Sequence, residues 1–166
     1  MKNIKISIKN LNKIYNIDRK NQIQILHNIN LDIENNHIII LKGVSGSGKS
    51  TLLSLIGALN RPTNGDITVN NINISKLPDF HSSQFRNRNI GFIFQSFNLI
   101  TGLDVFNNIK TPLIINDNQD IDIKVEKAMD LANISHKKDE DILNLSGGEK
   151  QRVAIARALV TDPDII

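Results

Sequence analysis

Ile4, Ile6 and Ile8 alternate with polar residues, the period of a strand with one buried face. The alternation returns at Ile23 and Ile25 and again at Ile29, Leu31 and Ile33, so the two stretches predict an antiparallel, hairpin-type pair. Ile38, Ile39, Ile40 and Leu41 form a continuously apolar run instead, which predicts a strand buried on both faces in a parallel sheet. A Gly-rich loop follows it. From Ser50 the spacing becomes helical (Leu52, Leu53, Leu55, Ile56, Leu59), and the turn-forming residues 60–65 end that helix. Ile67 and Val69 predict another strand, and residues 90–94 a short apolar one. Helices are expected over 104–115, with Pro112 interrupting it, and over 122–132, with a polar loop at 116–120 between them. Residues 146–160 carry a sharper signal: Ser146 and Glu149 make an S-x-x-E capping box, Val153, Ile155, Ala156 and Leu159 supply the apolar positions, and Pro163 stops the helix. The pattern predicts one mixed α/β domain with a helical insert between about 97 and 144.

Composition narrows the chemistry. A chain of 166 residues with 40% hydrophobic and 22% charged residues is long enough for a sizeable core and excludes a disordered tail, a collagen-like repeat and a coiled coil. The absence of cysteine removes disulfides, thiolate metal sites and a cysteine nucleophile, and the four histidines offer no ligand pair at helical spacing. No apolar run approaches the ~20 residues of a membrane helix, and Lys2, Lys5 and Lys9 break up any signal-peptide core, which predicts a cytosolic location. Twenty basic against 17 acidic side chains give +3, a small excess without a basic run and weak support for nucleic-acid binding.

Gly43, Val44, Ser45, Gly46, Ser47, Gly48, Lys49 and Ser50 spell G-x-x-x-x-G-K-[ST] between a predicted strand and a predicted helix, the context a phosphate-binding loop requires. The glycines allow backbone N–H groups to turn inward on phosphate oxygens at the positive end of the helix. Lys49 is then expected to bridge the terminal phosphates and Ser50 to bind Mg²⁺, with Thr51 beside it. The loop alone does not choose among kinases, GTPases and motor or transport ATPases. The nearest approach to a guanine-reading Asn/Thr-Lys-x-Asp motif is 136–139, whose first residue is His136, so adenine is favoured.

Leu145, Ser146, Gly147, Gly148 and Glu149 open the late helix, and through them the chain resembles the ATP-binding-cassette (ABC) ATPases with their LSGGQ-type signature. Two further positions match that family: Gln95, after the strand ending in Phe94, and Tyr15, the only tyrosine. The resemblance implies that Tyr15 stacks on adenine and that Gln95 contacts the metal and the attacking water. It also implies that Ser146, Gly147, Gly148 and Glu149 meet the γ-phosphate held by a second cassette in a head-to-tail dimer. Lys49 and Gln95 are the expected catalytic groups, Ser50 and Gln95 the metal contacts, and ATP with Mg²⁺ the ligands. The match covers nearly the whole chain from about Lys5, and residues 65–77 and 91–99 are most similar to the exporter branch serving macrolide efflux and lipoprotein release.

The implied fold is α/β: a P-loop NTPase core sheet with an antiparallel β subdomain and a helical insert, incomplete at the C-terminus. It divides into an ATP-binding core with the β subdomain (1–96), a helical subdomain (97–144), and the signature helix with the start of the Walker B strand (145–166). Family members continue beyond this point to a strand ending in Asp-Glu and a switch histidine, whereas His27, His37, His81 and His136 all precede the signature. The expected function is that of an ATP-binding subunit on the inner face of the plasma membrane, coupling ATP hydrolysis to export by a separate permease. Residues 1–166 alone are expected not to support turnover. A soluble ABC ATPase acting on nucleic acid or ribosomes, or a binding-only fragment, is the alternative.

Overall fold

The protein is described from a computed structural model over residues 6–114 and 120–166. Ile4 of the first expected strand and residues 116–119 of the expected polar loop lie outside the described residues. The chain forms two compact units, residues 1–84 and 85–166.

The first unit is built on a four-stranded antiparallel sheet of β1 (Ile6–Tyr15), β2 (Ile23–Ile33), β3 (Asn64–Val69) and β4 (Ile72–Asn73), in the order β2-β1-β3-β4. The expected hairpin is present, with Ile6 opposite Ile33, Ile8 opposite Leu31 and Tyr15 opposite Ile23. Ile6, Ile8, Ile67 and Val69 keep the period of two and are buried. Leu11 is also fully buried although it stands three residues after Ile8, because the register shifts between them. Asn10 is at φ 49, and its N–H donates to Asn30 Oδ1 at 2.9 Å. An extra left-handed residue of this kind is how a bulge resets which face the next side chain takes. A second shift, with Asn28 at φ 47, lies between Ile29 and the buried Leu26, and Ile23 and Leu31 are exposed, so β2 does not bury the alternating set its sequence predicts.

The expected doubly buried strand at 38–41 is not formed. Ile38 is 94% exposed, and Ile39, Ile40 and Leu41 are exposed as well. A parallel strand depends on neighbours along its edges, and no strand among the described residues pairs with this segment. The apolar run leads into α1 (Lys49–Ile56), which buries Leu52 and Leu55. Helix α2 (Asp79–Asn89), rich in polar residues and without a clear apolar period, is not foreseen by the sequence pattern and crosses the boundary between the units.

The second unit packs α3 (Val105–Ile114), α4 (Ile121–Leu131) and α5 (Gly147–Leu159) around one core. Val105, Ile109 and Leu113 recur every four residues on α3, Val125, Ala128 and Met129 face them from α4, and Val153 and Ala156 complete the core from α5. Pro112 does not interrupt α3 as expected. It cannot donate to the Asn108 carbonyl, but the Thr111 hydroxyl supplies that donor at 2.8 Å. Of the expected strand at 90–94, only Ile90 pairs, in a parallel bridge with Ile165 closed by Gly91 N–H to Ile165 O (2.8 Å) and Ile165 N–H to Asn89 O (2.9 Å). Phe92 and Phe94 follow with their rings stacked 5.6 Å apart.

Candidate functional site

The G-x-x-x-x-G-K-[ST] loop sits where its mechanism needs it, at the start of α1. Gly48 caps the helix at φ 86, a conformation that L side chains rarely adopt, and a Cβ there would also stand 2.9 Å from Leu26 Cδ2 and 3.0 Å from Ile25 Cγ2 of β2. Glycine is therefore fixed both by backbone and by space. A cap without a side chain leaves the first-turn N–H groups without a side-chain partner, and no acidic residue stands in that turn. The Lys49 ammonium curls back over the loop and donates to Gly43 O at 2.9 Å, Val44 O at 2.7 Å and Ser47 Oγ at 3.4 Å. A Cβ on Gly43 would reach 2.7 Å from Ser47 Oγ, so the loop closes tightly at both glycines. Ser45, Gly46, Ser47 and Ser50 are exposed, and Thr51 is half-buried.

Tyr15 lies in the same unit, at the end of β1 opposite Ile23, two residues before the Ile25 that lies beneath Gly48. The residue is 36% exposed, and Lys13 Nζ stands 4.9 Å from its ring centroid.

The second cluster belongs to the other unit. Ser146 caps α5 and forms the predicted box: its Oγ accepts from Glu149 N–H at 3.4 Å, and Glu149 Oε2 accepts from Ser146 N–H at 2.8 Å and from the Ser146 hydroxyl at 2.7 Å. These bonds from the Ser146 hydroxyl and backbone hold the Glu149 carboxyl below the usual range, helped by Lys137 and His136. A Cβ on Gly147 or Gly148 would meet nothing within 4 Å. The packing of this chain does not demand either glycine, and both cost helix propensity.

Gln95 is exposed and opens a turn closed by Phe97 N–H to Phe94 O at 3.0 Å. Sequence reasoning missed two side chains that shape the segment after Gln95. Asn108, fully buried, accepts from Ile100 N–H at 2.7 Å and donates to Ile100 O, Leu103 O and Asp104 O at 3.0–3.1 Å. Arg157 donates to the carbonyls of Phe97 and Asn98. An Asn among apolar helix positions and an Arg on a late helix carry no spacing signal that names their partners. The sites thus fall into two groups: Tyr15 with the loop and α1 in one unit, Gln95 with Ser146, Gly147, Gly148 and Glu149 in the other.

The family described as ABC transporter matches residues 26–166. The chain belongs to the ABC transporter family. Among curated ABC relatives it is 44% identical over 163 residues to the methionine import ATP-binding protein MetN of Aliivibrio fischeri, covering 97% of this chain and 47% of that protein. It is 38% identical over 168 residues to the lipoprotein-releasing system ATP-binding protein LolD of Pseudoalteromonas translucida, covering 100% of this chain and 72% of that one. The chain therefore spans about half the length of the MetN relatives it matches. The solved dimeric structure of MJ0796, a bacterial ABC transporter cassette, superposes with a TM-score of 0.87 at 36% identity, over 95% of this chain and 70% of that one. A second structure of that cassette is bound to ADP and Pi. The α/β ABC ATPase fold expected from the sequence is the fold of this chain. Among the described residues no helix is long and apolar enough to cross a membrane, and no group of three or more His, Cys, Asp or Glu side chains could hold a metal.

Proposed function

We propose that the protein is the ATP-binding subunit of a membrane transporter, holding Mg-ATP on the loop 43–51 and hydrolysing it in a head-to-tail dimer seated on a permease at the inner face of the membrane. The observation that carries this reading is the uncapped start of α1 with the Lys49 ammonium drawn over the loop carbonyls beside it. The donor set fits a polyphosphate: N–H groups at a helix start, the Lys49 ammonium and the exposed Ser50 hydroxyl, which suits a hard metal ion. Magnesium, when bound, supplies charge neutralisation between phosphate oxygens. With nucleotide bound, Lys49 would exchange its carbonyl partners for phosphate oxygens, and the Ser50 hydroxyl and the Gln95 amide oxygen would each be available to the metal. Gln95 also orients water. Tyr15 offers a ring face to adenine, with Lys13 on that ring adding positive charge.

The open space around Gly147 and Gly148 suits close approach of a second cassette's nucleotide, with the Ser146 end of α5 directed at its γ-phosphate. Relatives named for methionine import and for lipoprotein release share this cassette, so direction is assigned to the permease rather than to this chain. The contact with that permease is placed on the segment from Gln95 to Ile109, where Ile100 is 45% exposed and Leu99 lies at the margin of the helical core. Charge substitutions at Leu99 or Leu103 are expected to weaken co-purification with the membrane subunit while leaving ATP binding intact. Unchanged assembly counts against that surface.

A further inference from the structure

We propose that Arg157 is a positioning residue that locks the turn following Gln95 onto helix α5, so that Gln95 and the Ser146 end of that helix move as one piece. This lock rests on the proposed ATPase function and adds the side chain that couples two of its parts.

The turn is one that its own residues do not favour. Phe97 at φ 60 and Asn98 at φ 49 are consecutive non-glycine residues in the left-handed region, where a bulky aromatic persists only if its surroundings hold it. Local bonds close the turn: Phe97 N–H to Phe94 O at 3.0 Å, Asn98 N–H to Ser96 O at 2.6 Å, and the Ser96 hydroxyl to Asn98 Oδ1 at 2.7 Å. Arg157 then takes both of the next carbonyls, with Nη2 donating to Phe97 O at 2.6 Å and Nη1 to Asn98 O at 2.7 Å. A planar guanidinium spans two acceptors at once, which a single ammonium does not. Burial lowers the Arg157 pKa, so the fork works in a partly desolvated place where its bonds count for more.

The other end of the segment is fixed to the same helix. A Cβ on Gly91 would lie 2.4 Å from Ala158 O, so the backbone that leads to Gln95 is laid directly on the residue after Arg157. Gln95 is thus suspended between two attachments to neighbouring residues of α5. Eleven residues separate Ser146 from Arg157. At 100° and 1.5 Å per residue they stand on one face within about 20° and roughly 16 Å apart. Val153, Ala154 and Ala156 bury the helix between them, so α5 serves as a stiff rod with the capped serine at one end and the fork near the other.

The test compares the chain as wild type, Arg157→Ala and Arg157→Lys, by amide hydrogen exchange and by calorimetric titration of Mg-ATP. In Arg157→Ala, exchange at Phe97 and Asn98 is expected to rise about tenfold or more while Val153 to Ala156 stay protected. Mg-ATP affinity is expected to stay within about twofold of wild type, and exchange at Phe97 and Asn98 in Arg157→Lys to fall between the other two. Unchanged exchange at 97 and 98 in Arg157→Ala, or equal loss of protection along all of α5, overturns the proposal, the last by making Arg157 a merely structural residue. A wild-type chain that fails to bind Mg-ATP overturns the phosphate-loop reading instead, and the exchange comparison still decides the Arg157 lock.

Discussion

Asn108 is the buried polar residue on which the loop between Gln95 and α3 depends, and removing its side chain should cost the helical unit measurable stability. It is 0% exposed, and its amide satisfies four backbone groups: Ile100 N–H, Ile100 O, Leu103 O and Asp104 O. Two of these have other donors, since Ile100 O also accepts from Leu103 N–H at 3.4 Å and Asp104 O from Asn108 N–H at 3.0 Å. Asn108→Ala therefore deprives Ile100 N–H and Leu103 O of their partner. At about 1–3 kcal/mol for each buried group left unpaired, and with water able to reach the exposed Ile100, a total near 3 kcal/mol is expected. For a chain of this size that corresponds to a fall in Tm of roughly 6–12 °C. Asn108→Asp is the sharper comparison, because it keeps the shape and the acceptor for Ile100 N–H but turns a donor into a carboxylate oxygen facing three carbonyls. It should be at least as destabilised at pH 7 and recover in part as acid protonates it. Urea unfolding followed by circular dichroism at 222 nm reads both. Unfolding of the two variants within about 0.5 kcal/mol of wild type would remove Asn108 from this role.

Glu149→Gln should remove a pH-dependent component of α5 stability. The hydrogen bonds from Ser146 depress the Glu149 carboxyl in the folded state, so its contribution is present above the unfolded value, near pH 4, and is lost as pH falls through the lower folded value. The wild type and Glu149→Gln should therefore differ in exchange at the Glu149 amide at pH 7 and converge once the pH has fallen below the folded-state value; a difference independent of pH would refute the carboxylate's role. Gly48→Ala places a Cβ at φ 86 and 2.9 Å from Leu26 Cδ2, and about 1–2 kcal/mol of stability should go with it, together with much of the Mg-ATP affinity. Thermal melts and nucleotide titration check the two effects, and wild-type values in both would show that the loop tolerates a side chain there.

The sequence states most clearly what is local. The β1/β2 pair is legible from Ile6, Ile8 and the Ile23 to Ile33 alternation, the phosphate loop from its spacing, and the α5 start from Ser146 and Glu149, because each signal and its structure lie within a few residues. Pro112 misleads because the remedy is the neighbouring Thr111 hydroxyl, a side-chain choice that periodicity does not register. The bulges at Asn10 and Asn28 invert faces without disturbing the hydrophobic pattern, so Leu26 rather than Ile23 is buried. Residues 38–41 carry the composition of a central parallel strand, but a strand is a property of its neighbours, and pairing does not occur among the described residues. Arg157 reaches backbone carbonyls 59 and 60 residues away in sequence, and Asn108 gathers the backbone of a loop ahead of its own helix; no spacing rule announces such partners.

The most direct measurement is calorimetric titration of Mg-ATP and Mg-GTP into the wild-type protein and into Lys49→Ala. The loop geometry and the absence of a guanine-reading motif lead to saturable binding by wild type with ATP preferred over GTP. Lys49→Ala loses the charge-assisted phosphate contact, worth about 1.5–3 kcal/mol, and its affinity falls at least tenfold. Equal affinity of the two proteins for Mg-ATP would contradict the assignment of residues 43–51 as the nucleotide site.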